Sequence, residues 1–254
     1  LIYEYHVSYS LEAVAMRRLD QKKETSLLYE WCSQAFGGPA DDSQRANIWK
    51  SPVELVGPYA EKDASLPLDI MPVQSRILHH MAQDDIALME FALIPLLLKL
   101  RRQGVRISMQ RCQEADDKIT AAIDLLAQQL KVNVYSADDL ATMCDAEGVS
   151  YPRTALGAPS FVKDWLLAHP HPKLQQVAEL RKLHKLRDTF VRGHLMGTQI
   201  QGRVHCSFHP LKTDEYGAVS GRFSSSDPNL QQIPSRDKVW ASVLRSCFLP
   251  EEDQ

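Results

Sequence analysis

The polar segment VSGRFSSSDPNLQQIP, from Val219 to Pro234, carries the clearest set of side chains that could bind a ligand. It begins as a strand-like run, turns at Pro228 and ends in paired amides. The side chains of interest are Arg222, Ser224, Asn229, Gln231 and Gln232. Arg, Asn and Gln can hydrogen-bond nucleic acids, and the minor groove presents acceptors at every base pair. The segment therefore fits a site that checks duplex shape without reading sequence, or else a plain polar loop in which Asp-Pro-Asn makes a turn.

A second candidate is a tyrosine and an aspartate in the segment VGPYAEKDA, residues 56–64. Tyr59 and Asp63 are four residues apart, so they share one helix face if Pro58 begins a helix at its first turn. A tyrosine beside a carboxylate can orient a water next to a metal ion. The alternative is an ordinary helix start with Asp63 in solvent.

A basic stretch runs from Leu174 to Met196. One helix face is predicted to be apolar and contains Leu174, Val177, Leu180, Leu183, Leu186 and Phe190. Another face carries Arg181, Lys185 and Arg192, with Lys182 and Arg187 beside them and only Asp188 as a nearby counter-charge. Such a stripe could neutralise phosphates and release counterions, or it could be a solvated helix face.

Length and composition describe a globular chain of 254 residues, 44% hydrophobic and 24% charged, which is enough for one large or two small domains. The longest apolar run, Phe91 to Leu98, is far below the roughly 20 residues of a membrane span, so no membrane partner is expected. Net charge is −3, so nucleic-acid binding requires a local basic surface. The 5 scattered cysteines indicate reduced thiols and a cytoplasmic location, without disulfides or structural zinc.

Helical periodicity dominates the chain, and the predicted fold class is mainly α with a small antiparallel β portion. Helices are predicted after Ser10, from about Thr25 to Phe36, through Leu66–Ile107 with breaks or kinks at prolines, after Ser108 and after Ser136. Residues 40–45 are predicted to be a loop. Predicted strands are Arg203–Pro210, its hairpin partner Gly217–Phe223, and Val243–Leu249.

The order of residues in SGR, SSSDPNLQ and IP resembles the motif of A-family DNA polymerases, the bacterial polymerase I type. The resemblance implies that Arg222 lies in the minor groove at the primer terminus, with Asn229 and Gln231 on the template-primer backbone and bases nearby. Family members often have Asn at the position of Gln232 and Thr at the position of Ser220. Both replacements keep hydrogen-bonding capacity.

Two further segments carry the same resemblance. YAEKDA is similar to the third motif of the family's 3'-to-5' exonuclease domain, which makes Asp63 a ligand of Mg²⁺ and Tyr59 the residue that positions the attacking water. In the family, the other carboxylates of that site belong to two motifs that lie further towards the N-terminus than this chain begins, so Asp63 alone is not expected to hold two metal ions. LRKLHKLRDTFV is similar to the thumb helix, which implies phosphate contacts by Arg181 and Lys185. Asp188, Thr189 and Phe190 replace the Ser-Thr-Tyr that is frequent in relatives.

The resemblance divides the chain into three parts, with the phage-like members of the family as the better match. Residues 1–85 are predicted to end a ribonuclease H-like exonuclease domain, 86–198 to form a connector and helical thumb, and 199–254 to give edge strands of an incomplete palm. The polymerase-site aspartate follows a segment like LRSCFLPEEDQ, so these residues alone are not expected to polymerise.

The expected partners are primer-template DNA and, in the complete enzyme, deoxynucleoside triphosphates and divalent metal ions. A separate C-terminal chain with the palm and fingers is expected if the gene is split, and the host cytoplasm is the expected location if a phage encodes it. The alternatives are a non-catalytic DNA-binding or processivity subunit and a helical interaction protein without DNA activity.

Overall fold

The computed structural model describes residues 6–235 and 237–251, which fall into two compact units. The first unit comprises the chain up to Leu97 together with His209–Ser224. The second comprises Leu98–Phe208 and the chain from Ser225 onward. The last residues of LRSCFLPEEDQ, 252–254, lie outside the described residues. The three-part division into 1–85, 86–198 and 199–254 stays a prediction.

The first unit is built from helices α1 (Leu11–Leu19), α2 (Ser26–Phe36), α3 (Val53–His80) and the first part of α4 (Asp84–Gln103). The predicted N-cap Ser10 is confirmed, since its side chain accepts a hydrogen bond from the Ala13 backbone N–H. A small core joins α1 to α3, where Ala15, Leu66 and Ile70 are buried. This core fixes the face of α3 that α1 covers.

Helix α3 differs from the sequence prediction in its start and in its continuity at prolines. It begins at Val53 after Pro52, not at Pro58, and it runs through Pro58, Pro67 and Pro72 without interruption. Each proline removes one backbone hydrogen bond, but 28 residues of helix and the buried contacts with α1 outweigh these losses. The prediction of a loop at 40–45 is also partly wrong, because a 3₁₀ segment spans Asp42–Lys50. The Asp41 side chain caps this segment by accepting a hydrogen bond from the Ser43 N–H.

The second unit contains the larger core. After α4 come β1 (Val105–Arg106), α5 (Met109–Leu130), α6 (Ala137–Ala146), α7 (Lys163–Ala168) and α8 (Pro172–Lys185), and a π-helical segment, Leu186–Met196, continues α8. The helices predicted after Ser108 and Ser136 are confirmed, and in the structure the side chain of each serine caps its helix. Gly104 ends α4 at φ +65°, and a Cβ there would lie 2.7 Å from the His205 ring, so this turn requires glycine.

The strands are short. β2 (Gln199–Ile200) and β1 each pair antiparallel with β3 (Arg203–Val204), with Val204 opposite both Val105 and Gln199. β4 (Ser207–His209) and β5 (Ser224–Ser226) form a second, two-stranded sheet. The strand predicted over 203–210 is therefore interrupted between β3 and β4. The prediction that Gly217–Phe223 is its hairpin partner is wrong, because the paired strand begins only at Ser224.

The strand predicted at Val243–Leu249 is also wrong. Trp240–Arg245 forms helix α9, and only Phe248 makes an isolated antiparallel bridge, with Ile107. Asp237 explains the helix start, since its carboxylate accepts hydrogen bonds from the backbone N–H groups of Val239 and Trp240. Ala241, Leu244 and Cys247 are buried at a spacing of three residues, which suits a helix face.

The fold class predicted from the sequence is confirmed: the chain is mainly α with small antiparallel sheets. Among the described helices, none combines the length and apolarity that crossing a membrane requires. All 5 cysteines are free and buried in the structure.

Candidate nucleic-acid interface

The segment of residues 225–233 in the second unit, which comprises the end of β5 and the loop after it, is held by hydrogen bonds from within. The Ser225 hydroxyl lies 2.9 Å from Asn229 Oδ1, and Ser225 is only 4% exposed. The Gln231 backbone N–H donates to Asn229 Oδ1 at 3.2 Å and to Ser225 Oγ at 3.4 Å. Asn229 thereby caps the single 3₁₀ turn Leu230–Gln232. The backbone of the loop is fixed by two polar side chains of its own.

Apolar contacts anchor the same loop to the core of the second unit. Leu230 and Ile233 pack against the core cluster, while Gln231 and Gln232 between them are exposed. Neither glutamine side chain has a hydrogen-bond partner among the described residues. The turn therefore presents two unpaired amides from a rigid base.

Arg222 and Ser224 belong to the first unit and differ in their surroundings. Arg222 is exposed, and its guanidinium makes no ion pair or hydrogen bond with the part of the chain that the structure describes. Ser224 is half-buried, and its hydroxyl accepts a hydrogen bond from the Gly217 N–H at 3.1 Å. Arg222 is thus available to a ligand, whereas Ser224 shapes the turn that precedes it.

The apolar face predicted for the basic stretch is confirmed, since Leu174, Val177, Leu180, Leu183, Leu186 and Phe190 are all buried. The polar side is less basic than predicted. Lys182 pairs with Glu179 at 2.8 Å and with Asp237 at 2.5 Å, and Arg192 makes a bidentate pair with Asp116 at 2.6 and 2.8 Å. The prediction that Asp188 is the only counter-charge is therefore wrong.

Arg181 also has internal partners. Its Nε donates to the carbonyl of Val134 at 2.7 Å and its Nη1 to the carbonyl of Phe161 at 2.6 Å. Burial lowers the pKa of this guanidinium below its ordinary value, although Tyr135 nearby works in the opposite direction. Arg181 therefore ties α8 to the chain before α6 and to the chain before α7.

Lys185 is the remaining predicted phosphate ligand on α8. It is exposed and forms no ion pair within the described ranges 6–235 and 237–251. Arg187 is occupied by its neighbour, because its Nε donates to Asp188 Oδ1 at 2.8 Å, and this hydrogen bond lowers the pKa of Asp188. Within the described ranges, Lys185 is thus an exposed cation of this stretch that has no carboxylate partner.

Tyr59 and Asp63 lie on one face of α3, as their spacing predicts, and Lys23 contacts both of them. The Lys23 ammonium pairs with the Asp63 carboxylate, lies 3.4 Å from the Tyr59 hydroxyl and sits 4.6 Å from the centre of its ring. Burial works against the charge of Lys23, but the hydrogen bond to Asp63 and the nearby tyrosine raise the pKa of Lys23 above its ordinary value.

This arrangement does not fit the Mg²⁺ site that the resemblance implies. Within the described ranges, no group of three or more His, Cys, Asp or Glu side chains could hold a metal ion. Mg²⁺ requires several oxygen ligands, and the Asp63 carboxylate already has an ammonium partner. The residues of this chain supply a cation-paired carboxylate where a metal site would need further acids.

Several residues of these clusters were not predicted from the sequence, namely Lys23, Asp116, Ser225 and Asp237. Ser225 had a detectable signal, because an Asx or Ser side chain before a short turn often accepts its backbone N–H groups. The other three act on partners that are remote in sequence, as Asp116 does on Arg192. No local pattern marks such pairs.

Comparison with known proteins defines the class. A sequence model of DNA polymerase family A matches residues 103–254, more than half of the chain. The chain therefore belongs to DNA polymerase family A. A protein of Pseudomonas phage M6 named DNA-directed DNA polymerase is 34% identical over 273 residues, which are 100% of this chain and 40% of that protein.

Two other matches agree with this membership. DNA polymerase I of Pseudomonas aeruginosa is 32% identical over 225 residues, covering 78% of this chain and 23% of that protein. The solved POL domain of Pol1 from M. smegmatis, in complex with DNA primer-template and dNTP, shares the fold with a TM-score of 0.66 at 20% identity, over 96% of this chain and 39% of that one. The chain thus spans about 40% of the length of the phage relative.

Proposed function

We propose that this chain is the part of a DNA-directed DNA polymerase that grips primer-template duplex DNA during replication. The observation that carries the proposal is the loop of residues 225–233, whose backbone is fixed internally while Gln231 and Gln232 stay exposed and unpaired within the described chain. Donors on a rigid turn can meet the minor-groove acceptors that every base pair offers. Family membership and the names of the relatives support the same role.

The proposal gives each predicted residue a part. Arg222, Asn229, Gln231 and Gln232 donate to the minor groove and the adjoining backbone, and Ser224 supports the turn next to Arg222. Lys185 contacts a phosphate from α8. Arg181 and Arg192 hold the helix that carries Lys185, through Val134, Phe161 and Asp116.

Catalysis in this proposal belongs to the complete polymerase. Its polymerase site, with divalent metal ions and deoxynucleoside triphosphates, is supplied by residues other than those described here, in the same polypeptide or in a partner chain. A proofreading role for Tyr59 and Asp63 likewise requires carboxylates from elsewhere, because their own surroundings provide only the Lys23 cation. The contribution of this chain is to bind and align the duplex.

A binding titration tests the proposal. The 254-residue chain is mixed with a labelled primer-template duplex, and with the single template strand, over a series of salt concentrations. Fluorescence anisotropy is expected to show binding to the duplex whose log affinity falls linearly with log salt. Absence of duplex binding at low salt would overturn the proposal.

A further inference from the structure

We infer that Ser225 is a positioning residue that fixes the side-chain amide of Asn229 so that its Nδ2 group faces DNA as a hydrogen-bond donor. This inference rests on the proposed function. Asn229 is half-buried, and Ser225 beneath it is 4% exposed. The geometry that leads to this assignment lies entirely in the second unit.

The orientation of the amide follows from one obligatory donor. The Gln231 backbone N–H can only donate, and it lies 3.2 Å from the Asn229 side-chain atom that it contacts. That atom must therefore be the acceptor, Oδ1, so Nδ2 occupies the other side of the planar amide. The hydrogen-bond network thus identifies which end of the Asn229 amide is oxygen and which is nitrogen, two atoms that are otherwise hard to tell apart.

Ser225 adds a second contact to the same oxygen. Its hydroxyl accepts from the Gln231 N–H at 3.4 Å, which leaves its own proton free to donate to Asn229 Oδ1 at 2.9 Å. Asn229 Oδ1 then accepts two hydrogen bonds, which use both of its lone pairs. A rotation of the amide by half a turn would bring Nδ2 against the Gln231 N–H and lose that interaction, whereas the Ser225 hydroxyl could then accept from Nδ2. The Gln231 N–H therefore sets the orientation of the amide, and the Ser225 hydroxyl is the second contact that holds the amide in place.

The consequence concerns recognition. Minor-groove edges present acceptors, A N3 and T O2, at A·T and T·A pairs alike. An Asn229 amide held with Nδ2 outward can donate to these atoms in either orientation of the pair, whereas an amide that moves within the loop would meet them for only part of the time. Ser225 therefore helps to hold a donor that tolerates any sequence of A·T pairs.

A plain structural role for Ser225 would predict something different. If the hydroxyl only stabilises the turn, its removal lowers thermal stability and weakens binding equally for every duplex. If it holds the amide in place, its removal also reduces the sensitivity of binding to single acceptor atoms on the DNA. The readout that separates the two roles is therefore the response to an altered base.

The test uses duplexes in which 3-deazaadenine, which lacks the N3 acceptor, replaces adenine at successive positions near the primer terminus. The unaltered chain is expected to bind one such duplex about three- to tenfold more weakly than the normal duplex, the loss of one hydrogen bond. Ser225→Ala should show a clearly smaller difference between the normal and altered duplexes, because the Asn229 amide then keeps only its contact with the Gln231 N–H. Ser226→Ala is the matched control, because that hydroxyl contacts Asp227 at 2.9 Å instead, and it should keep the full difference.

Asn229→Ser provides a second variant if Ser225→Ala does not fold. A serine keeps an oxygen for the cap but has no Nδ2 group, so this variant should fold and lose the difference between normal and altered duplexes. Full discrimination by Ser225→Ala, or by Asn229→Ser, would overturn the inference. A chain that binds duplex DNA in a salt-dependent manner without sensing any deaza position would overturn the inference alone, and a chain that binds no duplex would overturn the proposed function itself.

Discussion

Two motifs of this chain differ in how their polar side chains are used. On α3, the polar atoms of Tyr59 and Asp63 converge on one internal cation, Lys23. In the loop after β5, internal hydrogen bonds use the Ser225 hydroxyl, the Asn229 oxygen and a backbone N–H, while Gln231 and Gln232 stay exposed. Both motifs have internal contacts, but only in the loop do these contacts leave donors for a ligand.

The difference shows what distinguishes a prepared site from a satisfied cluster. A carboxylate paired with an ammonium has its charge cancelled and attracts a metal ion less strongly. A capped turn has its geometry fixed at no cost to the side chains on its outer surface. The loop is therefore ready to bind as described, whereas the Tyr59 and Asp63 pair would need new partners and the release of Lys23.

The largest expected effect is at Arg222, which is exposed and unpaired within the described chain. In the complete polymerase, Arg222→Ala should slow primer extension about 100-fold, since a small misplacement of the reacting terminus has effects of that size. Single-turnover extension of a matched primer measures it. Arg76→Ala, another exposed arginine of the first unit, is the control. Equal rates for the two variants would remove Arg222 from the primer terminus.

Asp63 should matter for stability of this chain. Asp63→Asn leaves the Lys23 ammonium, 14% exposed, without its carboxylate and should lower the free energy of unfolding by about 1–2 kcal/mol. Asp42→Asn is the control, because its pair with Arg45 is exposed, at 69% and 70%, and should change stability by less than about 0.5 kcal/mol. Denaturant unfolding measures both, and equal stabilities would contradict the role of Lys23.

Two basic residues of α8, Lys185 and Arg181, should differ in their effects on DNA binding. Lys185→Ala should reduce the slope of log affinity against log salt by about 1, the loss of one phosphate contact. Arg181→Ala should leave the slope unchanged and lower thermal stability, because the carbonyls of Val134 and Phe161 lose their donor. The reverse assignment, with Arg181 controlling the slope, would show that its internal contacts open on binding DNA.

The smallest effect concerns pH. The hydrogen bond from Lys182, followed by that from the Trp240 N–H, lowers the pKa of Asp237. A lowered pKa in the folded state contributes stability that is present above the unfolded pKa, about 3.9, and lost as pH falls through the folded value. The melting temperature of Asp237→Asn should therefore lie below the original at neutral pH and approach it below about pH 4.

Asp124→Asn is the control for that measurement, since Asp124 is exposed and forms no ion pair within the described ranges. Its melting temperature should follow the original chain over the whole pH range. A difference for Asp237→Asn that persists unchanged in acid would show that the charge of Asp237 does not stabilise the link between α8 and the start of α9.

Sequence reasoning succeeded for features that lie within a single helix. The caps at Ser10, Ser108 and Ser136 and the apolar face of α8 depend on residues a few positions apart, and the structure has all of them. The motif SSSDPNLQ was sufficient to indicate the family that the match over residues 103–254 shows.

Sequence reasoning failed where residues that are remote in sequence determine the local structure or pair with a charge. The basic stripe looked free because its partners Asp116 and Asp237 come from other parts of the chain. The strand predicted at Val243–Leu249 is wrong because helix α9, Trp240–Arg245, begins before it, where the Asp237 carboxylate accepts from the Trp240 N–H. The free charge on α8 was therefore overestimated, and the internal support of the loop at Ser225 was missed.

Hydrogen–deuterium exchange of the chain with and without a primer-template duplex tests the central claim most directly. Binding at the loop should slow exchange of the backbone amides in residues 224–233 and leave residues 21–25, around Lys23, unchanged. Slower exchange around Lys23 with no change in the loop would contradict the account, because the duplex would then be held by the motif whose side chains are already paired.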